Sequence, residues 1–515
     1  MGVHFANYVG RSCTVVPPLE DVVWRRPSID TLRAAAPTTT DGVLACTVAR
    51  LKQGKPVRFV FFGSSVTAGI RCKHNRERSV NFPQQLGQLI EHRYPHANVS
   101  IDVYGYPGAS PNFMSACHQT LMSTNHADLY VLEMTDNLAD GYAGVGASVE
   151  RLMSAVRERA PAAALMLLAP IPQRCVRAIK RMKPFQHIPH DDESTLGILR
   201  NDCFSNRSVA ASFEDVGRAH RVATVSARNL IRDELFSRPA VAASTVGKLH
   251  YDAVHPSGAG HWYLAAAIEH ALFGQNERPS SYGAAPFDGV PLCEAPRAGS
   301  LELANLFASR TARSSSMVCA LGEELHQHVE RAVGWRYGVE YNSQGLPKPG
   351  YIADSPGASL DLCHRPKLGS GGASMLDRSS RVVNVAWSLG YLMSYEHMGK
   401  MRGECLSRES SCKCGTRIFD AHWRLPISQP HISRLKLQIR YARRRGGKGT
   451  MVPEAALRSA SPDAALACPC KIRFTLLNDT SSDGHKFKLV ALMSGFYTGT
   501  IVSDAVGFAA RYGVM

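Results

Sequence analysis

The sequence predicts a three-layer α/β domain followed by a β-rich domain. Over residues 41–275, short apolar runs alternate with helical segments, which is the pattern of βαβ units in a parallel sheet. Residues 276–344 begin with a stretch rich in Gly, Pro and Ser, and we expect them to form a connecting region. Residues 345–515 hold short β-like runs separated by turn residues, which indicates an all-β domain of the sandwich type.

The elements of the first domain are predicted one after another. Residues 1–40 contain several prolines and are predicted to form an irregular arm, and Asp41 is a suitable N-cap for a helix over 41–51. The run 57–62, "VRFVFF", is apolar and rich in β-formers, as expected for a strand buried on both faces. The further predictions are helix 81–92, strand 99–104, strand 127–134, helix 148–159, strand 164–169, a helical region 210–235 and a closing helix 258–273.

In the second domain, β-like runs are predicted at 359–362, 382–393, 435–441, 472–477 and 486–492. The net charge of the whole chain is +16, which favours acidic partners. The sequence has no zinc-finger spacing, RNP aromatic motif or helix-turn-helix signal, so no nucleic-acid partner is expected. The longest nearly apolar stretch, 160–172, is shorter than the roughly 20 residues that cross a bilayer, so no transmembrane segment is expected.

Cysteine usage bears on the compartment. The chain has 14 cysteines, and the close pairs Cys412/Cys414 and Cys468/Cys470 each enclose a single residue, whereas zinc ligand pairs usually enclose two to four. Disulfides are therefore favoured over metal binding or free thiols, which favours the secretory pathway or the extracellular space. Sequons at Asn98, Asn206 and Asn478 are compatible with that compartment. The first residues lack the shape of a signal peptide, so the protein is intracellular or its natural start lies elsewhere.

A serine-rich motif follows the first predicted strand. The run "VRFVFF" leads directly into "GSSVTAG", which begins at Gly63. A serine at the carboxyl end of a parallel strand lies where open α/β sheets bind ligands. A helix that begins there would offer N–H groups to a developing oxyanion. The alternative is that the serine only caps the helix.

A second motif, "YDAVHPSGAGH", begins at Tyr251. A nucleophilic serine needs a base, usually histidine, and the base needs a carboxylate that holds its tautomer. Asp252 and His255 are close enough in sequence to meet on one loop. Between the two motifs, Gly108 follows the second predicted strand and Asn137 follows the third, and both could donate hydrogen bonds to an oxyanion.

Together these segments resemble the SGNH (GDSL-type) hydrolase superfamily over about residues 57–275. The matching segments are "FGSSVTAG", "YGYPGAS", "LYVLEMTDN" and "DAVHPSGAGH". The resemblance implies a flavodoxin-like fold, ester or thioester hydrolysis or acyl transfer, and no metal or organic cofactor. It assigns the nucleophile to Ser65, the acid to Asp252 and the base to His255. The oxyanion donors would be Ser65, Gly108 and Asn137.

The chain departs from the family pattern at several positions. Ser64 stands where the first block usually has Asp, immediately before the nucleophile. In the third block, Thr135 replaces a glycine and Leu138 replaces the Asp that follows Asn137. A shift of one residue would place Asp136 at the position of the asparagine.

The predicted function is a serine esterase or deacylase that acts on a small-molecule or glycan ester, with O-acetyl groups on a glycan as one candidate. Two alternatives stay open: an O-acyltransferase that uses the same site, and a catalytically degenerate protein that binds glycan or has a structural role. The C-terminal segments "WSLGYLMSYEHMGKMRGECLSRESSCKC" and "CKIRFTLLNDTSSDGHKFKLVALM" resemble the tail domain of algal and plant SGNH-type proteins. By analogy, that domain is a candidate for polysaccharide or protein contact. Glu133, on a buried strand, is predicted to have a hydrogen-bonded structural role.

Overall fold

The structure is a computed structural model. It describes residues 3–9, 27–36, 42–69, 81–109, 111–122, 126–133, 142–169, 171–172, 175–177, 179, 197, 204, 209–232, 245–250, 252, 254–274, 318–341, 347–364, 382–406, 412–424, 428–443, 451–453, 468 and 470–496. The chain divides into two compact units. The first comprises Met1–Pro111 and Met122–Arg310, and the second comprises Asn112–Leu121 and Thr311–Met515. None of the described helices is long and apolar enough to span a membrane.

Six of the described strands form a parallel sheet in the first unit. They are β1 (Val3–Val9), β2 (Pro56–Gly63), β3 (Asn98–Gly105), β4 (Leu129–Glu133), β5 (Ala164–Ala169) and β6 (Ala223–Ser226). Their order in the sheet is β1-β3-β2-β4-β5-β6. Strands β3 and β4 lie on opposite sides of β2, so the direction of winding reverses there. In open α/β sheets the ligand crevice forms beside the carboxyl ends of the strands at such a point.

Helices cover both faces of this sheet. They are α1 (Ile29–Ala35), α2 (Gly42–Lys52), α3 (Ser65–Ala68), α4 (Phe82–Arg93), α6 (Tyr142–Arg159), α7 (Val209–Ala219) and α8 (Gly258–Phe273), while α5 (Pro111–Leu121) is grouped almost entirely with the second unit. Phe59 and Phe61 of β2 share one core cluster with residues of α4 and α8. Val60 and Phe62 alternate to the other face and are equally buried. The prediction of a strand buried on both faces is therefore confirmed.

Two predictions for the first unit were wrong in part. The expected irregular arm contains β1, which pairs with β3, and α1, which buries Leu32 and Ala35. The region predicted to be helical over 210–235 contains α7, then β6, and then a 3-10 helix at Ala227–Ile231. Strand β6 has only four residues, and a segment this short gains its strand conformation from pairing with β5 and not from a local pattern.

The second unit contains two antiparallel sheets. Its strands are β7 (Val318–Leu321), β8 (Val329–Val333), β9 (Arg336–Tyr341), β10 (Pro347–Ala353), β11 (Ser359–His364), β12 (Val382–Met393), β13 (Lys400–Cys405), β14 (Cys412–Cys414), β15 (Arg417–Asp420), β16 (Gln429–Arg443), β17 (Met451–Pro453), β18 (Cys470–Leu476) and β19 (Phe487–Phe496). One sheet follows the order β14-β16-β12-β19-β10-β9, with β17 paired to β16 and β7 paired to β19. The other sheet follows the order β15-β13-β18-β11-β8.

Aromatic side chains from both sheets meet in the core of the second unit. The ring of Trp387 on β12 stacks on the ring of Phe474 on β18 at 5.8 Å between centroids. The ring centroids of Tyr391 on β12 and Phe419 on β15 lie 6.1 Å apart. The two sheets therefore pack face to face, as the sandwich prediction required.

The predicted connecting region at 276–344 was too long. Strand β7 begins at Val318, and β8 and β9 follow before residue 345. Most side chains of β8 and β9 are exposed or half-buried, so the sequence has no apolar run to mark these strands. Residues 275–317 lie outside the described residues.

Disulfides link different segments of the second unit. The pairs between described cysteines are Cys117–Cys319, Cys363–Cys468, Cys405–Cys414 and Cys412–Cys470. Cys46 and Cys175 are also disulfide-bonded. The sulfurs of Cys405, Cys412 and Cys470 lie within 4.8 Å of one another, but each belongs to a disulfide. Such bonds persist in oxidising compartments.

Replacement of Trp387 by Ala is expected to destabilise the second unit. The side chain is fully buried, so its removal leaves a large cavity, and we expect a loss of about 3–5 kcal/mol in the free energy of unfolding. Urea unfolding followed by near-UV circular dichroism measures this loss. Tyr395→Ala is the control, because Tyr395 is exposed and its removal should change stability by no more than about 0.5 kcal/mol. Equal effects of the two substitutions would contradict the assignment of Trp387 to the core.

Candidate active site

The serine-rich motif forms a sharp turn between β2 and α3. Strand β2 ends at Gly63, Ser64 is the N-cap of α3, and Ser65 is its first residue. The Ser64 hydroxyl accepts a hydrogen bond from the Val66 N–H at 3.4 Å. The helix ends after one turn at Gly69, whose φ of +69° is a conformation that glycine adopts without strain. Ser65 therefore lies at the carboxyl edge of the sheet, beside its switch point, with 4% of its surface exposed.

The second motif brings a histidine and a carboxylate to this serine. His255 Nε2 lies 3.1 Å from Ser65 Oγ, and His255 Nδ1 lies 2.7 Å from Asp252 Oδ2. The other carboxylate oxygen, Oδ1, accepts hydrogen bonds from the backbone N–H groups of Val254 at 2.7 Å and His255 at 2.8 Å. The loop thus holds the carboxylate in one orientation. Ser65, His255 and Asp252, which sequence analysis proposed together, form one continuous hydrogen-bonded chain.

The environment of Asp252 favours its ionised form. Partial burial alone would raise the pKa of Asp252, but the side-chain hydrogen bond and charge of His255 and the two backbone N–H donors outweigh burial and hold the pKa well below its ordinary value. Asp252 is therefore an acceptor for the His255 Nδ1–H at neutral pH. This arrangement leaves Nε2 free of a proton and able to accept one from Ser65.

Gly108 lies in a turn that leaves β3 beside the serine turn. Gly105 of β3 pairs in register with Gly63 of β2, and the Tyr106 N–H donates to the Gly63 carbonyl at 2.8 Å. The Ala109 N–H then donates to the Tyr106 carbonyl at 3.0 Å, with Gly108 at φ +78°. A proline followed by a glycine of positive φ is the pattern of a type II turn. The predicted oxyanion residue Asn137 lies outside the described residues.

Glu133 is the acidic residue on a buried strand for which the sequence predicted a hydrogen-bonded structural role. It ends β4 and is fully buried, and its carboxylate accepts hydrogen bonds from Ser64 and Thr67 on the serine turn. The prediction of a hydrogen-bonded structural role agrees with these contacts. Two features of the sequence pointed to these contacts. Glu133 is an acidic residue on an otherwise apolar strand, and position 64 has Ser where the family motif has Asp.

Helix α8 and helix α4 are linked behind the histidine loop. Ser257, two residues after His255, is the N-cap of α8. His261 is fully buried, and burial first, then the nearby His255 and His250, lower the pKa of His261 to about 3. It is therefore neutral, and its Nδ1 accepts the Phe82 N–H of α4 at 3.3 Å. His261 thus links α8 to α4.

Replacement of Gly105 by Ala is expected to disturb the site without touching the reacting groups. A Cβ at Gly105 would lie 2.4 Å from both N and Cα of Ala68, so α3 would have to move. Because a misplacement of a reacting group by about 1 Å can lower a rate on the order of 10²-fold, we expect kcat of a reaction at Ser65 to fall by that order. Gly247→Ala is the control, since a Cβ there meets no atom within 4 Å. An unchanged kcat for Gly105→Ala would contradict the close packing of β3 against α3.

Comparisons with known proteins place the fold. No protein-family model matches the chain, and no curated protein sequence matches it. A solved structure of a two-domain esterase described as active on acetylated mannans matches with a TM-score of 0.56, 13% sequence identity, and coverage of 91% of this chain and 99% of that chain. A structure of a two-domain esterase of the same description, co-crystallised with mannopentaose, matches with a TM-score of 0.55, 13% identity, and coverage of 91% and 98%.

The chain shares the fold of these two-domain structures. The likeness extends over nearly the whole length of both chains, so it includes the parallel α/β unit and the antiparallel β-rich unit. At 13% identity it concerns the fold, and the chemistry has to be argued from the residues of this chain.

Proposed function

We propose that this protein is a serine esterase of the SGNH type, with Ser65 as nucleophile, His255 as general base and Asp252 as the acid that orients the base. The observation that carries the proposal is the chain of hydrogen bonds from Ser65 Oγ through His255 to Asp252. The strand order β3-β2-β4-β5-β6 supports it, because it is the 2-1-3-4-5 order of flavodoxin-like sheets. Ser65 follows the strand at the switch point of that order.

The geometry supports a two-step acyl transfer. Ser65 Oγ attacks the ester carbonyl while His255 Nε2 takes its proton, and Asp252 stabilises the resulting imidazolium. The tetrahedral intermediate collapses as His255 returns the proton to the departing alcohol, which leaves an acyl-Ser65 ester. A water molecule then gives a proton to His255 and attacks this ester, and the carboxylic acid leaves as Ser65 regains its proton.

The oxyanion donors in this proposal are backbone N–H groups of Ser65 and Gly108 together with the side chain of Asn137. Among the residues that the structure describes, neither the Ser65 N–H nor the Gly108 N–H has a hydrogen-bond acceptor. Such N–H groups at a turn and a helix start can stabilise an oxyanion without rearrangement. The whole mechanism uses groups of the chain itself and requires no cofactor.

The proposed substrate class is an O-acetylated glycan. The supporting observation is the shared fold, since the structure of similar length belongs to an esterase described as active on acetylated mannans. The second unit is then proposed to contact polysaccharide or protein. The disulfides of this unit support a secretory or extracellular location for such a substrate.

The geometry favours an active enzyme over a degenerate one. A degenerate hydrolase would be expected to have lost the contact between its serine and histidine, whereas Ser65 Oγ and His255 Nε2 lie at hydrogen-bond distance. No observation on the described residues favours transfer to an alcohol over transfer to water.

The proposal is tested by measuring acetate release from acetylated glucomannan, acetylated xylan and p-nitrophenyl acetate by the purified full chain. Labelling of Ser65 with a fluorophosphonate probe is measured in parallel. We expect labelling and acetate release. A folded protein that neither reacts with the probe nor releases acetate would overturn the proposed function. Labelling with acetate transferred to an added alcohol and no release to water would favour the acyltransferase.

A further inference from the structure

We propose that Glu133 is a positioning residue for the nucleophile, and that the pair Ser64 and Glu133 replaces the single aspartate that usually precedes the serine in the SGNH first block. This inference rests on the proposed function. It goes beyond it because Glu133 lies on a different strand from the nucleophile and has itself been assigned neither a catalytic nor an oxyanion role. Glu133 acts through Ser64 and Thr67 and does not contact the reacting atoms.

The contacts of Glu133 surround the nucleophile on both sides. Its Oε2 accepts hydrogen bonds from the Ser64 N–H at 3.0 Å, the Thr67 N–H at 3.1 Å and the Thr67 hydroxyl at 2.7 Å. The Ser64 hydroxyl lies 3.1 Å from Oε1. Ser65 is therefore held between residues whose backbone N–H groups are bound to one carboxylate. Hydrogen bonds to an ionised carboxylate are roughly twice as strong as neutral ones, and burial strengthens them further.

The register of the parallel sheet places the Glu133 carboxylate beside the serine turn. Leu132 of β4 lies opposite Phe62 of β2 in the parallel ladder, so the next residue of each strand, Glu133 and Gly63, reach the same edge together. A Cβ at Gly63 would lie 1.9 Å from Thr67 Oγ1 and 2.6 Å from Glu133 Oε2. Gly63 thus leaves the space into which the carboxylate and the threonine hydroxyl fit.

Serine at position 64 matches a carboxylate at position 133. The Ser64 hydroxyl donates to Glu133 and accepts from the Val66 N–H, which one hydroxyl can do and a carboxylate cannot. An aspartate at position 64 would place a second carboxylate beside the buried Glu133. Two like charges so close together and out of water repel each other strongly. The aspartate of the family motif and Glu133 are therefore alternatives, and this chain uses the second.

The test compares four variants of the full chain: Glu133→Gln, Ser64→Asp, the double variant Ser64→Asp/Glu133→Ser, and Glu269→Gln as a control. Glu269 is a buried carboxylate paired with Arg93, away from the serine turn. The measurements are the rate of labelling by the fluorophosphonate probe, kcat and KM for p-nitrophenyl acetate, the pH profile, and the thermal unfolding temperature.

We expect Glu133→Gln to lower kcat and the labelling rate on the order of 10²-fold, with KM changed less than about threefold. The shape of the pH profile should be retained, because His255 and Asp252 keep their contacts. Ser64→Asp alone should lower kcat and the labelling rate at least as much as Glu133→Gln does. The double variant should regain about tenfold or more over Ser64→Asp, because it restores a single carboxylate beside the turn. Glu269→Gln should lower the unfolding temperature without lowering kcat.

Two results would overturn the role of Glu133: a labelling rate of Glu133→Gln equal to that of the wild type, or a double variant no more active than Ser64→Asp. A loss of kcat in Glu269→Gln equal to that in Glu133→Gln would also overturn it, since the effect would then be general destabilisation. If the wild type itself neither labels nor hydrolyses, the proposed function fails and this role fails with it. If the wild type is labelled, the proposed function stands, and the variants then test the role of Glu133 alone.

Discussion

Ser65→Ala is expected to abolish labelling by the fluorophosphonate probe and to lower kcat for ester hydrolysis on the order of 10⁶-fold, the size of loss found when a serine nucleophile is removed from a triad. The reason is that no other hydroxyl in the described residues takes the place of Ser65 Oγ opposite His255 Nε2. The change removes one hydroxyl and its hydrogen bond to His255. The His255 side chain is 18% exposed, so water can replace the lost partner. We therefore expect the thermal unfolding temperature to stay within a few degrees of the wild type.

The matched control is Ser355→Ala, which removes an exposed serine hydroxyl from the second unit. It should leave labelling and kcat unchanged. Labelling that persists in Ser65→Ala would show that the probe reacts elsewhere and would remove the main support for the triad. Mass spectrometry of the labelled peptide identifies the modified residue in either case.

Asp252→Asn is expected to lower kcat on the order of 10⁴-fold with the site geometry largely retained. The backbone N–H groups of Val254 and His255 donate to one oxygen of the side chain, so the amide oxygen of the variant must occupy that position. Its NH₂ group then faces His255 Nδ1, which must become an acceptor. The proton of the imidazole moves to Nε2, and that nitrogen can no longer take a proton from Ser65.

The lowered pKa of Asp252 predicts how the stability of the protein and its activity depend on pH. Because the folded protein lowers the pKa of Asp252, the carboxylate contributes stability above its unfolded pKa and this contribution is lost as the pH falls through the lower folded value. Between pH 5 and pH 8 Asp252 stays ionised. We therefore expect protonation of Asp252 to cause no loss of wild-type activity between pH 5 and pH 8.

The pH profile of kcat/KM from pH 4 to pH 9 measures this dependence for the wild type and Asp252→Asn. Asp215→Asn, which alters an exposed carboxylate paired with Arg218, serves as the control and should behave as the wild type. A variant Asp252→Asn with wild-type kcat at every pH would contradict the argument from the tautomer of His255.

Local signals predicted several elements with correct bounds. Strand Ala164–Ala169, strand Val382–Met393 and helix Gly258–Phe273 have the ends that the sequence indicated. These are long or strongly apolar segments with clear boundaries, and the helix is preceded by Ser257, whose hydroxyl accepts the Gly260 N–H. Their conformation depends on residues within the segment and its immediate neighbours, so a sequence pattern is sufficient.

Edge strands were missed because their side chains show no such pattern. Strand β1 forms the edge of the parallel sheet, and β8 and β9 form edges in the second unit. Such strands form by backbone pairing with one neighbour, and on β8 and β9 most side chains remain exposed or half-buried. Only the approach of a partner strand decides that they pair.

The sequence by itself determined which residues could do chemistry: Ser65 after an apolar strand, and Asp252 three residues before His255. Tertiary structure decided that these groups meet, because 190 positions separate the serine from the histidine. It also decided that Glu133 of the neighbouring strand contacts the serine turn, since that contact follows from the register of β4 against β2. Propensity and capping act over a few residues, whereas strand register and the packing of helices determine which distant side chains come within hydrogen-bond distance.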